Sequence, residues 1–280
     1  MATFDILRTG RKVEPQNGTI VQFMPRQFAI TIAYDGTRYG GWQIQPNAPT
    51  IQQHIVEALE KATAERVHVQ GSGRTDSGVH AIGQVGSFVL QSWNPPADRL
   101  VPAINRFLPR DIVIRECREV SHPFDPIRQA IKKKYRYTIR NSKIPDPMNN
   151  RYHWWIPKEL EIEKMQKAAA FLIGTHDFKS FETLGSPRKS STRTVYELTI
   201  QAREAMDGRE IWVEIEADGF LYNMVRNIVG ALWTIGSDRF GVPWMQTFLE
   251  LKSRDTSSHT APPQGLCLMN VTYPRDVYSP

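Results

Sequence analysis

Cysteine is scarce: Cys117 and Cys267 are the only two among 280 residues. They stand far apart, with no CxxC or HxxxH spacing near either, so no metal site is suggested. A disulfide is not expected, because Met1-Ala2-Thr3-Phe4-Asp5-Ile6 is too polar to read as a secretory signal. Nor does any apolar run approach the ~18 residues that a membrane span needs. The expectation is a cytoplasmic protein with no membrane segment.

Acidic residues are the minority charge, 29 against 35 Lys and Arg, giving a net +6 and a pI near 9.3. That mild excess favours a polyanionic partner without requiring one. The apolar fraction of 40% is ordinary for a globular chain. The length allows one large domain or two small ones.

One stretch concentrates chemistry: Gly71-Ser72-Gly73-Arg74-Thr75-Asp76-Ser77-Gly78-Val79-His80-Ala81. It lies between two expected strands, Val67-His68-Val69-Gln70 and Val85-Gly86-Ser87-Phe88-Val89-Leu90. Its three glycines imply a tight loop with unusual backbone angles. Into that loop go a cation, a carboxylate and an imidazole. The run has neither GxxxxGK[ST] nor GxGxxG, which excludes the common phosphate-binding loops. Residue types alone leave Asp76 open to a plain turn-closing role.

Elsewhere the pattern alternates strands and helices. Phe28 to Tyr34 reads as a strand. Thr50-x-x-Gln53 is a capping box before a helix with Ile51, Ile55, Val56, Leu59 and Ala62 on its buried face. A helix over about 98–107 and a strand at Ile112-Val113-Ile114 follow. Lys134 to Ile139 reads as a strand, and Glu159 to Leu172 as a helix capped by Gly174. Thr194–Ile200 and Ile211–Glu216 form a hairpin around Asp207-Gly208-Arg209. Helices over about 221–235 and 244–251 and a strand at Leu266–Thr272 complete the chain.

Several runs resemble the TruA-type tRNA pseudouridine synthases, in that family's order. They are Tyr34-Asp35-Gly36-Thr37, Gly41-Trp42-Gln43-Ile44-Gln45, Arg74-Thr75-Asp76-Ser77-Gly78-Val79-His80-Ala81, Lys134-Tyr135-Arg136-Tyr137, Met224-Val225-Arg226-Asn227-Ile228-Val229-Gly230 and Ala261-Pro262-Pro263-Gln264-Gly265-Leu266. Ser77 stands where the family often has alanine. The resemblance implies an α+β fold: two similar subdomains sharing an extended, mostly antiparallel sheet flanked by helices, with the active-site cleft between them. The corresponding division is an extension over residues 1–26, a subdomain over 27–123 and a second over 124–280.

It further implies isomerisation of uridine in the anticodon stem-loop of tRNA, positions 38–40, by a homodimer using neither cofactor nor metal. Asp76 becomes the catalytic aspartate and Arg226 the arginine that meets it. Tyr135 stacks on the target uracil, Arg74 helps to flip the base, and Leu266 gives an apolar contact. His80 is expected to make a structural hydrogen bond inside the loop, and the run Lys132-Lys133-Lys134 reads either as an ordinary solvated run or, beside the tyrosine strand, as phosphate contacts. The polar stretch Glu182 to Arg193 is another candidate contact. One departure stands out: in Phe124-Asp125-Pro126-Ile127-Arg128 the family's arginine position holds Ile127. Arg128 either replaces that contact or leaves it missing. The competing readings are a non-catalytic RNA-binding protein on the same scaffold and a related synthase acting on another RNA.

Overall fold

A computed structural model describes residues 24–121, 123–183, 190–205, 207–253 and 259–278. Residues 1–23 of the extension expected over 1–26, and positions 184–189 of the Glu182–Arg193 stretch, lie outside the described residues.

Among the described residues ten strands form one sheet. They are β1 (Arg26–Tyr34), β2 (Gln70–Gly71), β3 (His80–Leu90), β4 (Ile112–Val120), β5 (Lys132–Ser142), β6 (Trp154–Ile156), β7 (Gly174–Asp177), β8 (Thr192–Ala205), β9 (Gly208–Ala217) and β10 (Leu266–Thr272). The order across the sheet is β4-β1-β3-β10-β5-β9-β8-β7, with β2 on β3 and β6 on β5. Every pairing is antiparallel except β10 with β3 and β5 with β6. The helices are α1 (Ile51–Thr63), α2 (Leu100–Asn105), α3 (Ile162–Ala169), α4 (Met224–Gly236) and α5 (Trp244–Glu250). The fold is α+β, with the extended sheet that the sequence leads one to expect. Among the described residues no helix is long and apolar enough to cross a membrane.

Strand periodicity builds two cores. Phe28, Ile30 and Ile32 of β1 are fully buried in the same cluster as Ile51, Ile55 and Leu59 of α1. Tyr137 and Ile139 of β5 and Val213 and Ile215 of β9 are buried with the inward faces of α3, α4 and α5. Burial of each such side chain is worth about 1.5–3 kcal/mol. The cores meet at the middle of the sheet. Leu268 and Val271 of β10 belong to the first, Leu266 to the second, and Tyr135 packs against both.

Several boundaries differ from expectation. The strand expected at Val67–Gln70 is only the two-residue β2, because Gln70 and Gly71 alone find ladder partners on β3. The cap of α1 is half made: Thr50 Oγ1 accepts from Gln53 N, but the Gln53 amide bonds Glu57 instead of reaching back. Val56 and Ala62 are only partly buried. Helix α3 starts at Ile162, since Leu160 N bonds the Asn141 side chain and Glu161 N bonds Gly236 O. A 3-10 turn, Ala170–Leu172, closes it, and Gly174 opens β7 rather than capping a helix. Helix α4 starts at Met224 because Asn223 takes a left-handed φ of 60°.

Candidate active site

The loop between β2 and β3 is held by its surroundings. Thr75 O accepts from Trp42 N at 3.0 Å, and Thr75 Oγ1 lies 2.8 Å from the buried Tyr34 hydroxyl. Ser72 Oγ donates to Gln84 Oε1 at 2.6 Å, and Gln84 Nε2 donates to Gly73 O. Asp76 O receives Val79 N at 3.1 Å, a turn completed by Gly78 at φ +78°. A side chain at Gly78 would strain that angle. Asp76 therefore sits on a loop with little freedom.

The loop opens onto a cleft of about 860 Å³. Asp76, Arg74, Tyr135, Arg226 and Leu266 all line it. The first two come from the loop, Tyr135 from β5, Arg226 from α4 and Leu266 from β10. These elements are far apart in the chain and meet because β10 lies between β3 and β5.

Arg226 Nη1 stands 3.6 Å from Asp76 Oδ2. That is an ion pair rather than a direct hydrogen bond. Burial pushes the Asp76 carboxyl above the ordinary carboxylate range, and the Arg226 charge opposes this without cancelling it. Arg226 is itself held: Nε donates to Ala261 O at 2.7 Å, and Nη1 to Asn223 Oδ1 at 2.9 Å. Both acceptors are neutral, so the cation keeps its charge for Asp76.

Tyr135 is half-buried, its ring edge-on to Phe220 with centroids 5.1 Å apart. Burial raises its hydroxyl pKa, so the ring stays neutral. Leu266 is buried and pairs with Tyr137 across the β10–β5 ladder. Arg74 is exposed at the cleft and makes no hydrogen bond or ion pair among the described residues. A carboxylate, a fixed cation, a flat aromatic and an apolar contact thus share one cleft with a solvent-facing arginine at its edge.

A family profile described as tRNA pseudouridine synthase matches residues 30–125 and 168–274. The chain belongs to the tRNA pseudouridine synthase family. Among curated relatives, the tRNA pseudouridine synthase A of Thermoanaerobacter sp. (strain X514) is 44% identical over 248 residues, covering 89% of this chain and 100% of the relative. Proteins of the same name from Acetivibrio thermocellus (41% over 248 residues, 89% and 100%) and, as tRNA pseudouridine synthase A 1, from Protochlamydia amoebophila (43% over 250 residues, 88% and 96%) are similarly close. The chain is an isomerase of this class.

The synthase's three lysines do not act as one group. Lys132 Nζ pairs with Glu216 at 2.6 Å and Lys134 Nζ with Glu214 at 2.9 Å. These cross-strand pairs compete with the expected phosphate contacts. Lys133 alternates to the other side, lines the cleft, and donates to Ser72 O at 2.6 Å. Tyr137 is buried in the core, its hydroxyl on Pro262 O, and so packs rather than facing substrate. Ile127 lines the cleft. The Arg128 side chain is 87% exposed, 3.7 Å from Asp125.

Sequence reasoning missed three groups that hold the synthase's site, Asn223, the Ala261 carbonyl and Phe220, and gave Lys133 to phosphate rather than to Ser72 O. Two had a signal. Asn223 stands immediately before the run Met224–Gly230 that contains Arg226, and Phe220 three residues before Asn223. The Ala261 carbonyl had none, because a backbone acceptor leaves no trace in residue identity.

Proposed function

We propose that the synthase acts on the anticodon stem-loop of tRNA, at positions 38–40, with Asp76 as the catalytic carboxylate. The observation that carries this reading is the Asp76–Arg226 pair, 3.6 Å apart in a cleft floored by Tyr135 and Leu266. Uridine in a folded RNA hides the atoms that react, so it must leave its stack at a cost of a few kcal/mol. Arg74, exposed and unpaired among the described residues at the cleft edge, fills the place the base vacates. The extruded uracil lies against the Tyr135 ring, as bases do on aromatic faces, and against Leu266.

The reaction is balanced within one nucleotide. The N1–C1′ bond breaks, the ring turns, and C5 bonds to C1′. The hydrogen on C5 leaves as a proton and N1 ends protonated, with no net gain or loss of atoms. Asp76 serves as nucleophile or as base, and either role needs it ionised. Arg226 favours that state against the effect of burial.

The divisions 27–123 and 124–280 are read as two subdomains, supported by the two cores, with β10 returning to the first. A cytoplasmic homodimer that presents one RNA to both copies completes the proposal. The net charge of +6 suits that partner and makes binding salt-dependent.

The test is tritium release from tRNA carrying 5-tritiated uridine, because forming the C5–C1′ bond must expel the C5 hydrogen. Release by the parent and none by Asp76→Asn is expected. Tight tRNA binding without release by either would point to a binding protein or another RNA substrate. Equal release by both would remove Asp76 from the mechanism.

A further inference from the structure

His80 lies four residues beyond Asp76 and lines no part of the cleft, yet it is among the most heavily bonded side chains near the loop. It is 6% exposed. Gly36 N donates to its Nδ1 at 3.0 Å, a geometry that fits the tautomer with its proton on Nε2. That nitrogen is 2.9 Å from Arg151 O and 3.2 Å from Gln264 O. Gly36 follows β1, Arg151 precedes β6, and Gln264 is two residues before Leu266. One ring therefore joins three segments distant in sequence. The Tyr152 ring packs on it, centroids 5.2 Å apart, and the Tyr152 hydroxyl donates to Asp35 Oδ2 at 2.9 Å. Asp35 Oδ1 lies 3.2 Å from Nδ1.

The backbone at His80 is also where the halves meet. Val79 is buried in the core of α3, α4 and α5, whereas Ala81 is buried in the core of α1. His80 itself pairs with Cys267 in the parallel β3–β10 step. Asp76 thus hangs from one wall of the cleft while Arg226, Tyr135 and Leu266 stand on the other, and His80 fastens the first wall to the second.

We propose that His80 is a positioning residue: by bonding Gly36, Arg151 and Gln264 at the root of the catalytic loop, it sets the separation of Asp76 from Arg226 across the cleft. The inference rests on the reading of Asp76 given above. It differs from a merely structural hydrogen bond because it ties His80 to the charge state of another residue. The charged and titratable groups lining the same cleft are Arg226 from α4, Lys133 and Tyr135 from β5, Arg74 from the loop itself, and His68 and Tyr222 at its rim. Among the described residues Asp76 is the one carboxylate that lines the cleft, and Asp35 is a second carboxylate that faces His80 itself.

The test uses the full chain, 5-tritiated tRNA, and the variants His80→Ala, His80→Gln and His80→Asn. Glutamine can keep a donor toward Arg151 O, and asparagine an acceptor for Gly36 N. His80→Ala should lose kcat on the order of 100-fold, as a misplacement of about 1 Å does, with KM changed less than about 3-fold. Its acid limb of kcat/KM should move to higher pH. Withdrawal of Arg226 leaves burial unopposed, so Asp76 ionises later. The amide variants should recover about 10-fold of the loss and move the limb back toward the parent's. They keep the test decisive if the alanine variant folds poorly.

A parent-like kcat in His80→Ala would overturn the proposal. So would a lost kcat with an unmoved acid limb, which marks general loosening. A parent that releases no tritium would overturn the functional reading itself, and is separable because it needs no variant.

Discussion

A Cβ on Gly230 would lie 1.5 Å from the carbonyl oxygen of His259. Helix α4 therefore lets the 259–261 segment run directly against its backbone. One turn earlier, Ala261 N donates to Arg226 O at 3.1 Å while Arg226 Nε donates to Ala261 O. The glycine is what brings the acceptor to the arginine.

Gly230→Ala should therefore disturb the site from a distance. Overpacking of about 1–3 kcal/mol lowers the melting temperature by roughly 2–10 °C in a chain of this size. Activity should fall further than the loss of folded protein explains, since Arg226 loses an anchor. Calorimetry and tritium release on the same samples separate the two effects.

The Asp76 carboxyl sits above its ordinary range through burial, with Arg226 pulling it down. A raised folded value means that the folded state binds the proton more tightly than the unfolded chain. Stability then falls as pH rises from the unfolded pKa through the folded one. Above that window Asp76→Asn should melt no lower than the parent, and higher if Arg226 tolerates the amide, while turnover is lost. Below the window the two should converge. Thermal melts at neutral and acid pH check this, and a markedly less stable amide at neutral pH would contradict it.

Arg226→Gln removes the charge that opposes burial. The acid limb of the pH–rate profile should shift to higher pH, and kcat should fall on the order of 100-fold or more if the arginine also serves the transition state. Affinity for tRNA, measured by filter binding, should change little, because one cation among many phosphate contacts is lost.

Lys133→Met removes the donor to Ser72 O without shortening the stem. A hydrogen bond from a charged group is worth about 1.5–3 kcal/mol, so the loop should loosen and kcat drop roughly 10-fold. Lys133→Arg should retain part of the activity if the charge at that place is what matters.

Ile127→Arg places a cation at the cleft position where the family's pattern has one. RNA binding should tighten and become more salt-sensitive. The slope of log K against log salt should steepen by about 0.7–0.9 if one more phosphate is contacted. An unchanged slope would mean that no phosphate passes Ile127.

The site was legible in the sequence where a run of particular side chains marks it. Asp76, Arg226, Tyr135 and Leu266 each stand in a run whose neighbours are equally specific, and the structure places all four in one cleft. Strand alternation at Phe28–Tyr34 and Lys134–Ile139 likewise matched the sheet. Legibility failed where geometry came from the partner rather than the residue. Val67–Gln70 alternates like a strand but has almost no partner. Leu221–Asn223 is apolar enough for a helix, yet Asn223 turns left-handed and bonds Arg226 with its side chain. The lysine run looked like a phosphate patch because its glutamate partners lie about eighty residues away, on β9.

Strand β10 fills the middle of the sheet, beside β3 on one edge and β5 on the other. Among the described strands it is made last, long after His80, which Cys267 meets. Until that late strand arrives, the edges of β3 and β5 lack their neighbour and stand open to other strands. Joining such distant segments is a slow step of folding. The nascent chain is thus exposed longest at the seam where Asp76 and Arg226 will face each other, and a truncation that removes β10 should leave two separately collapsed halves rather than one smaller enzyme.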